Sequence, residues 1–238
     1  MSKNLLIIQQ SANKIPGNIL ETAARHNVKL RVIKLWHKNT AIPSSLKKYD
    51  GLLVLDSAVS PSTSGARKNR VNEVIMKSFA EDRPYLGIGS GSHLMAASQG
   101  AVIGDNCPHD IGFITGYLTH KGREHPIFQN LPNKILLFKW HRQVVMPPMP
   151  ADIDILAASV SCQFEAISIV GRPHIVGLQF LNNAAALRDV KKYVIKDKKW
   201  LSSREEEALP TILDEAARLG NIATNHFTAI FTNFINMI

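Results

Sequence analysis

The stretch Pro84-Tyr85-Leu86-Gly87-Ile88-Gly89-Ser90-Gly91-Ser92-His93-Leu94 decides the fold of this chain. Its first apolar residues predict a buried strand, its glycines predict a sharp turn, and the residues that follow predict a helix. A strand, a tight turn with small neighbours and a helix are the layout of a nucleophile elbow. Such an elbow holds one residue in a strained conformation at a helix N-terminus, where backbone N–H groups stabilise a thiolate.

Upstream of this stretch, short apolar runs alternate with helical patterns. The spacing of apolar residues predicts strands over 5–9, 29–35, 51–55 and 85–88, and helical segments over 15–27 and 67–80. Strands that alternate with helices are typical of βαβ units, which build a parallel sheet. We therefore expect the strand before the elbow to lie centrally in such a sheet.

Downstream the pattern becomes rich in strands and then helical. Strands are predicted over 112–119, 135–140, 153–158, 164–170 and 175–180, which favours a mixed sheet in this half. From about residue 184 the pattern is helical, with predicted breaks near Ser202 and Gly220. An apolar stripe near the C-terminus is interpreted as core packing, and it consists of Phe227, Ile230, Phe231, Phe234 and Ile235.

The predicted fold class is α/β, a three-layer sandwich with a mostly parallel central sheet flanked by helices. No internal repeat and no Pro/Gly linker divides the sequence. We therefore expect residues 1–238 to form a single domain with a helical C-terminal extension from about 184.

Composition narrows the class of protein further. Hydrophobic residues make up 45% of the 238 residues and charged residues 20%, which excludes the composition of a disordered chain. The apolar run near the N-terminus, 5–8, is too short for a signal peptide or a membrane span. Two cysteines, Cys107 and Cys162, give no disulfide framework, so a cytoplasmic protein is expected.

The net charge of +9 raises the question of nucleic-acid binding. Basic residues cluster at Arg67, Lys68 and Arg70 and again over 191–199, but no aromatic residues alternate with them as in a single-strand binder. A solvated basic face explains them, and we expect no nucleic-acid partner.

The elbow resembles that of the class I glutamine amidotransferases of the GMP-synthetase type, which reads approximately Pro-x-Leu-Gly-Ile-Cys-x-Gly-x-Gln. Five residues fall on family positions, namely Pro84, Leu86, Gly87, Ile88 and Gly91. In this register Gly89 stands where the family has its catalytic cysteine.

Other segments carry the same resemblance across most of the chain. The run 49–55 is similar to the strand that leads into the family's oxyanion loop, although Asp56-Ser57 replaces the usual Gly-Gly. Further family landmarks are matched by 125–128, by Trp140-His141 followed by Pro147-Pro148, and by 156–159.

The run 176–183 resembles the family's Gly-x-Gln-Phe-His-Pro-Glu, with Leu181 in place of the catalytic histidine and Asn183 in place of the glutamate. In the family mechanism a thiolate attacks the glutamine amide, the histidine moves protons, and the glutamate orients the histidine. Glycine, leucine and asparagine perform none of these roles. The resemblance therefore implies a homologue without an intact catalytic triad.

The leading hypothesis is a stand-alone, catalytically inactive homologue that binds a small ligand in the old glutamine pocket or binds a protein partner. One alternative is a hydrolase or transferase of altered chemistry around the vacated elbow. Another is a regulatory protein that docks on a synthase. The candidate pocket residues are Asp56, Ser57, Ser90, Ser92, His93 and Gln179.

The remaining polar residues carry weaker signals. Ser90 and Ser92 are expected to cap the helix, His93 to pack or cap, and His141 to be structural. The residues His109, His120, His125 and His174 lack metal-ligand spacing, and 87–91 lacks the Lys-Ser/Thr ending of a phosphate loop. No metal and no cofactor are expected, and the sequence does not indicate a ligand or an oligomeric state.

Overall fold

In the N-terminal half, a computed structural model of the chain has strands and helices in regular alternation. They are β1 (Asn4–Gln9), α1 (Ile19–Arg25), β2 (Lys29–Lys34), β3 (Gly51–Val54), α2 (Ala66–Ala80), β4 (Tyr85–Ile88) and α3 (Ser90–Ser98). The structure describes residues 2–37, 40–57, 66–197 and 208–238, with the backbone alone for 66–68, 106–110 and 208–210.

The second half is rich in strands, and the described residues after the last strand include two helices. Its elements are β5 (Val102–Leu118), α4 (His120–Glu124), β6 (Lys134–Met146), β7 (Ile153–Ser159), β8 (Ala166–Ile169), β9 (Arg172–Leu178), α5 (Leu187–Lys196) and α6 (Ala208–Asn236). Short 3₁₀ turns occupy Pro126–Phe128 and Asn182–Ala184.

The nine strands of the described residues form one sheet of order β2-β1-β3-β4-β9-β8-β7-β5-β6. The strands from β2 to β9 in this order pair in parallel, and those from β9 to β6 pair antiparallel. The predicted parallel sheet of the first half and the mixed sheet of the second half are thus confirmed. Strand β4 lies inside the parallel part, as expected.

Helices cover both faces of the sheet because its strands are apolar on both sides. Leu5 and Ile7 of β1 face a core shared with α1, α5 and α6, while Leu6 and Ile8 face a core shared with α2 and α3. A parallel strand buried on both faces reads as a continuous apolar run, as β1 does. The predicted three-layer α/β sandwich is confirmed.

The C-terminal helix α6 packs into the first of these cores. The stripe predicted to be core is buried throughout: Phe227, Ile230, Phe231, Phe234 and Ile235. The predicted break at Gly220 is wrong, since α6 runs through it. A Cβ at this position would lie 2.5 Å from the carbonyl oxygen of Ala185, so glycine here permits close packing. The break predicted near Ser202 lies outside the described residues.

Two further boundaries differ from expectation. Helix α1 begins at Ile19, four residues later than the apolar pattern suggests, because residues 10–18 form a loop that is hydrogen-bonded to Asn183. Strand β5 begins at Val102, because it pairs with β6 well before residue 112. In the part of the chain that the structure describes, no helix is long and apolar enough to cross a membrane.

Candidate functional site

The elbow joins β4 to α3 at the carboxyl edge of the parallel strands. Gly89 has φ 57° and ψ −119°, a conformation that an L-residue adopts only under strain, and its N–H donates to the carbonyl of Leu178 at 2.8 Å. A Cβ on Gly91 would lie 2.1 Å from the carbonyl oxygen of Val54, so the turn also needs a glycine there. The buried hydroxyl of Tyr85 donates to the carbonyl of Gly91 at 2.8 Å and fixes the turn.

The carboxylate of Asp56 lies directly against this elbow. Its Oδ1 accepts a hydrogen bond of 2.9 Å from the backbone N–H of Ser90, the first residue of α3. A Cβ added to Gly89 would lie 2.6 to 2.8 Å from the side chain of Asp56. Helix N-termini carry unpaired N–H groups and the positive end of the dipole, so they favour a carboxylate. Asp56 therefore fills the space beside Gly89 and caps α3.

The other oxygen of Asp56 is paired with Lys14. The Nζ atom of Lys14 lies 3.1 Å from Oδ2 of Asp56, and the two side chains are only 6% and 10% exposed. The same ammonium group stands 4.6 Å from the centroid of the Tyr193 ring. A buried ion pair of this kind is costly to break, because the remaining charge loses both its partner and its hydration. The pair closes the elbow from the side of α5.

Lys14 belongs to the β1–α1 loop, residues 10–18, which is held over the elbow by several hydrogen bonds. The side-chain amide of Gln10 donates to the carbonyl of Leu55 at 2.7 Å and to the hydroxyl of Ser90 at 3.2 Å. The amide of Asn183 donates to the carbonyls of Ile15 and Pro16 at 3.1 and 3.2 Å. The loop is thus attached both to the elbow and to the segment after β9.

Leu181 and Asn183, which the sequence resemblance matches to the family's histidine and glutamate, are both buried and make contacts within the fold. Leu181 is buried in the apolar core, and its N–H donates to the carbonyl of Phe138. Asn183 is buried and supports the β1–α1 loop through its side chain and its carbonyl, which accepts from the N–H of Asn18 at 2.9 Å. Neither side chain carries a group that could transfer a proton at the elbow.

His93 and Gln179 lie beneath the elbow as a buried polar pair. Nε2 of His93 is 3.4 Å from Oε1 of Gln179, and its Nδ1 has no hydrogen-bond partner among the described residues. Burial lowers the pKa of His93 to about 4, although the nearby Asp56 carboxylate opposes this shift. His93 is therefore neutral at physiological pH, in keeping with the packed histidine predicted from the sequence.

A second buried ion pair lies close by. Nζ of Lys139 is 2.5 Å from Oε1 of Glu165, both side chains are fully buried, and Ser159 donates to the same carboxylate oxygen. Burial, together with the positive charge of Lys139, lowers the pKa of His141 well below its usual value. His141 is therefore buried in β6 and uncharged.

The serine residues of the turn do not act as the expected caps. The N-cap residue of α3 is Gly89, which has no side chain, and the N–H of Ser90 donates instead to the carboxylate of Asp56. The hydroxyl of Ser92 would contact a Cβ on Gly177 at 2.5 Å, so it packs against β9. His93 makes no hydrogen bond to either serine, since its Nε2 faces Gln179. Within the described part of the elbow, no serine and histidine form a nucleophile–base pair.

The comparisons with known proteins bear on the same segments. The family model for class-I glutamine amidotransferases matches residues 10–180, which include the β1–α1 loop, the elbow and β9. The chain belongs to this family. No curated protein sequence matches the chain.

Solved structures of glutamine amidotransferases share the fold. One from Thermotoga maritima has a TM-score of 0.86 and 16% identity, with 99% of each chain covered. One from Methylobacillus flagellatus has a TM-score of 0.85 and 19% identity, covering 99% of this chain and 95% of that one. A protein from Thermoplasma acidophilum, described as a candidate component of GMP synthase, has a TM-score of 0.66 and 17% identity, covering 100% and 98%.

Several residues of this class I amidotransferase site could not be identified from the sequence pattern. Gln10 and Lys14 lie between the strand predicted over 5–9 and the helix predicted over 15–27, so nothing in the sequence marked them as partners of the elbow. Lys139 was detectable in principle, because it is a single charge within the apolar run of β6. Its partner Glu165 lies outside that strand and cannot be paired with it from sequence spacing.

The other residues named in the sequence analysis lie away from the amidotransferase elbow, or their side chains are outside the described part of the structure. His125 caps the 3₁₀ turn after α4 through its Nδ1, His174 contacts Asp82, and Cys162 is buried. The side chains of Arg67, Lys68, Cys107 and His109 are not described. Among the described residues, no three His, Cys, Asp or Glu side chains are grouped to hold a metal ion.

Proposed function

We propose that this class I amidotransferase homologue does not hydrolyse glutamine and acts by binding. The observation that carries the proposal is the Asp56 carboxylate on the N–H of Ser90, beside a residue with no side chain. In the family mechanism, backbone donors at the elbow stabilise the oxyanion of the reacting amide. Here the chain's own carboxylate uses the N–H that follows the nucleophile position.

The residues at the other two catalytic positions support the same conclusion. Leu181 has no titratable group, and the side-chain amide of Asn183 donates hydrogen bonds to carbonyls of the β1–α1 loop. A thiol, a base and an orienting carboxylate are together needed for this acyl transfer. The residues Gly89, Leu181 and Asn183 lack the side chains that this chemistry uses, and the Asp56 carboxylate occupies the N–H of Ser90.

Binding of a protein partner is favoured over binding of a small ligand at the elbow. Asp56, Ser90, Ser92, His93 and Gln179 are all less than 9% exposed, so their polar atoms face the protein interior. One fold neighbour is described as a candidate component of GMP synthase, which is a protein that works in an assembly. We propose by analogy that this cytoplasmic domain docks on a partner rather than producing ammonia for it.

The enzyme of altered chemistry has less support. It requires Asp56, Ser57, Ser90, Ser92 or His93 to converge on an accessible pocket with a base beside a hydroxyl. Four of these five side chains are buried, and His93 faces Gln179 rather than a serine. A nucleophile needs a base within hydrogen-bond reach, and the described residues of the elbow do not offer that geometry.

A reactivation series tests the proposal. The first variant combines Gly89→Cys, Leu181→His and Asn183→Glu, and the second adds Asp56→Gly and Ser57→Gly to restore the family's oxyanion loop. We expect ammonia release from glutamine only in the second variant. Activity in the first variant would show that Asp56 does not block the elbow. Activity in the unmodified protein would overturn the proposal itself.

A further inference from the structure

A basic groove lies at the edge of the sheet opposite the elbow. It crosses the amino ends of β1 and β2 and the loop that enters β3, whereas Gly89 and Asp56 follow the carboxyl ends of β4 and β3. Its volume is about 590 Å³, within the range of small-molecule sites. Among its lining residues are Lys29, Arg31, Lys47, Lys48, Tyr49 and Asp50.

The charges of this amino-edge groove are unbalanced. Lys29, Arg31, Lys47 and Lys48 are exposed, and among the described residues none of them is paired with a carboxylate within ion-pair distance. The lining contains one carboxylate, on Asp50, which already accepts the backbone N–H of Asn4 at 2.7 Å. Nearby, Glu81 is paired with Arg83 at 2.7 Å. The potential in the groove is therefore positive.

The loop that carries two of these cations is fixed in place. Leu46 is buried in the core, and Tyr49 donates its N–H to the carbonyl of Leu46 at 2.9 Å. The carbonyl of Tyr49 in turn accepts from Arg83 at 2.6 Å, and Lys77 donates to the carbonyl of Ser44. These contacts fix the backbone that carries Lys47 and Lys48 before any ligand arrives, which lowers the entropic cost of binding.

From these observations we propose that the amino-edge groove binds a small polyanion that carries several phosphate groups. Lys29 and Arg31 alternate along the edge strand β2 and so point to the same side of it, while Lys47 and Lys48 stand on the loop across the groove. Cations on two walls suit a ligand with more than one anionic group. Half-buried Leu30 and Tyr49 are also among the lining residues and add apolar surface to the groove.

Isothermal titration with inorganic tripolyphosphate tests this inference on the full chain. The groove variant is Lys47→Gln with Lys48→Gln, and the control is Lys191→Gln with Lys196→Gln on the exposed face of α5, which removes the same charge. We expect the groove variant to bind at least about tenfold more weakly, since two charge-assisted contacts are lost, and the control to bind as the unmodified protein does.

Three results would overturn the inference. They are no measurable binding of tripolyphosphate, equal weakening in the groove variant and the control, and tighter binding of single-stranded DNA than of tripolyphosphate. Equal weakening would assign the attraction to the net charge of the whole molecule. Melting temperatures of both variants close to that of the unmodified protein confirm that a loss of binding is not a loss of fold. Because the groove lies away from the elbow, these outcomes do not depend on glutamine hydrolysis.

Discussion

Gly89 lies at the elbow position that the sequence resemblance matches to the catalytic cysteine of class I amidotransferases. The position needs positive φ, which glycine adopts without cost, and the space that a side chain would need is filled by Asp56. The carboxylate cannot easily move away, because it is held by the N–H of Ser90 and the ammonium group of Lys14. A cysteine at position 89 of this chain would therefore need a smaller side chain at position 56.

Gly89→Cys is expected to destabilise the protein beyond the strain of positive φ alone. The control is Gly100→Cys, because Gly100 also has positive φ (91°) but has no atom within 4 Å of an added Cβ. Overpacking against Asp56 should lower the unfolding free energy of the Gly89 variant by about 1 to 3 kcal/mol more than in the control. Chemical denaturation measures both, and equal losses would show that Asp56 does not restrict the site.

A second prediction concerns the buried ion pair between Lys14 and Asp56. Asp56→Asn keeps a hydrogen-bond acceptor for Ser90 but removes the charge, and Lys14→Met removes the other charge. Each single change should cost about 3 to 5 kcal/mol of unfolding free energy, and the double change less than the sum, because it leaves no unpaired buried charge.

The exposed pair Arg25 and Glu21 provides the control for that cycle. Its side chains are 62% and 60% exposed, so the same cycle there should give a coupling below about 1 kcal/mol. A coupling between Lys14 and Asp56 no larger than the surface value would contradict the buried ion pair that closes the elbow.

Among the elements, the helix α6 shows why a glycine in a helix need not mark its end. Gly220→Ala would ordinarily stabilise a helix interior by about 1 kcal/mol. Here the added Cβ would lie 2.5 Å from the carbonyl oxygen of Ala185, so we expect the change to destabilise the protein. The exposed neighbour Asn221→Ala, on the same helix, should be neutral or slightly stabilising. Thermal denaturation of both variants checks this, and a stabilised Gly220→Ala would refute the close packing.

Some elements of this fold could be predicted from the sequence, and others could not. The strands β1, β3 and β4 were predicted because a strand buried on both faces is a continuous apolar run between turn residues. The β1–α1 loop was not predicted, because it is held by a hydrogen bond from Asn183, which is 168 residues from Ile15. The length of β5 likewise depends on its pairing with β6 rather than on its own composition. The glycine pattern predicted the position of the elbow turn. The ion pair between Asp56 and Lys14 could be identified only from the three-dimensional structure.

For the whole molecule, the stability should depend on pH through the buried residues His93, His125 and His141 and the half-buried His226. The pKa values of His93 and His125 are lowered to about 4 by burial, and those of His141 and His226 are lowered as well. In the unfolded chain these residues take up protons near a pH of about 6.5. Between about pH 6.5 and pH 4 the unfolded state thus binds more protons, so the unfolding free energy falls as the pH is lowered through this window.

Urea denaturation between about pH 7 and pH 5 measures that slope. For His93 alone the contribution is up to about 1.4 kcal/mol for each pH unit. His93→Gln should therefore flatten the dependence, whereas replacement of the exposed His120 by Gln controls for the loss of a histidine at the surface. An unfolding free energy that stays constant across this range would contradict the neutral, buried state of these side chains.

The most direct test of the central claim is the release of ammonia from glutamine by the purified, unmodified protein. Because Gly89 has no nucleophilic atom and the carboxylate of Asp56 holds the N–H of Ser90, we predict a rate equal to that of a blank without protein. Ammonia release above the blank that persists through repeated purification would contradict the claim, and would require a nucleophile other than the residue at position 89.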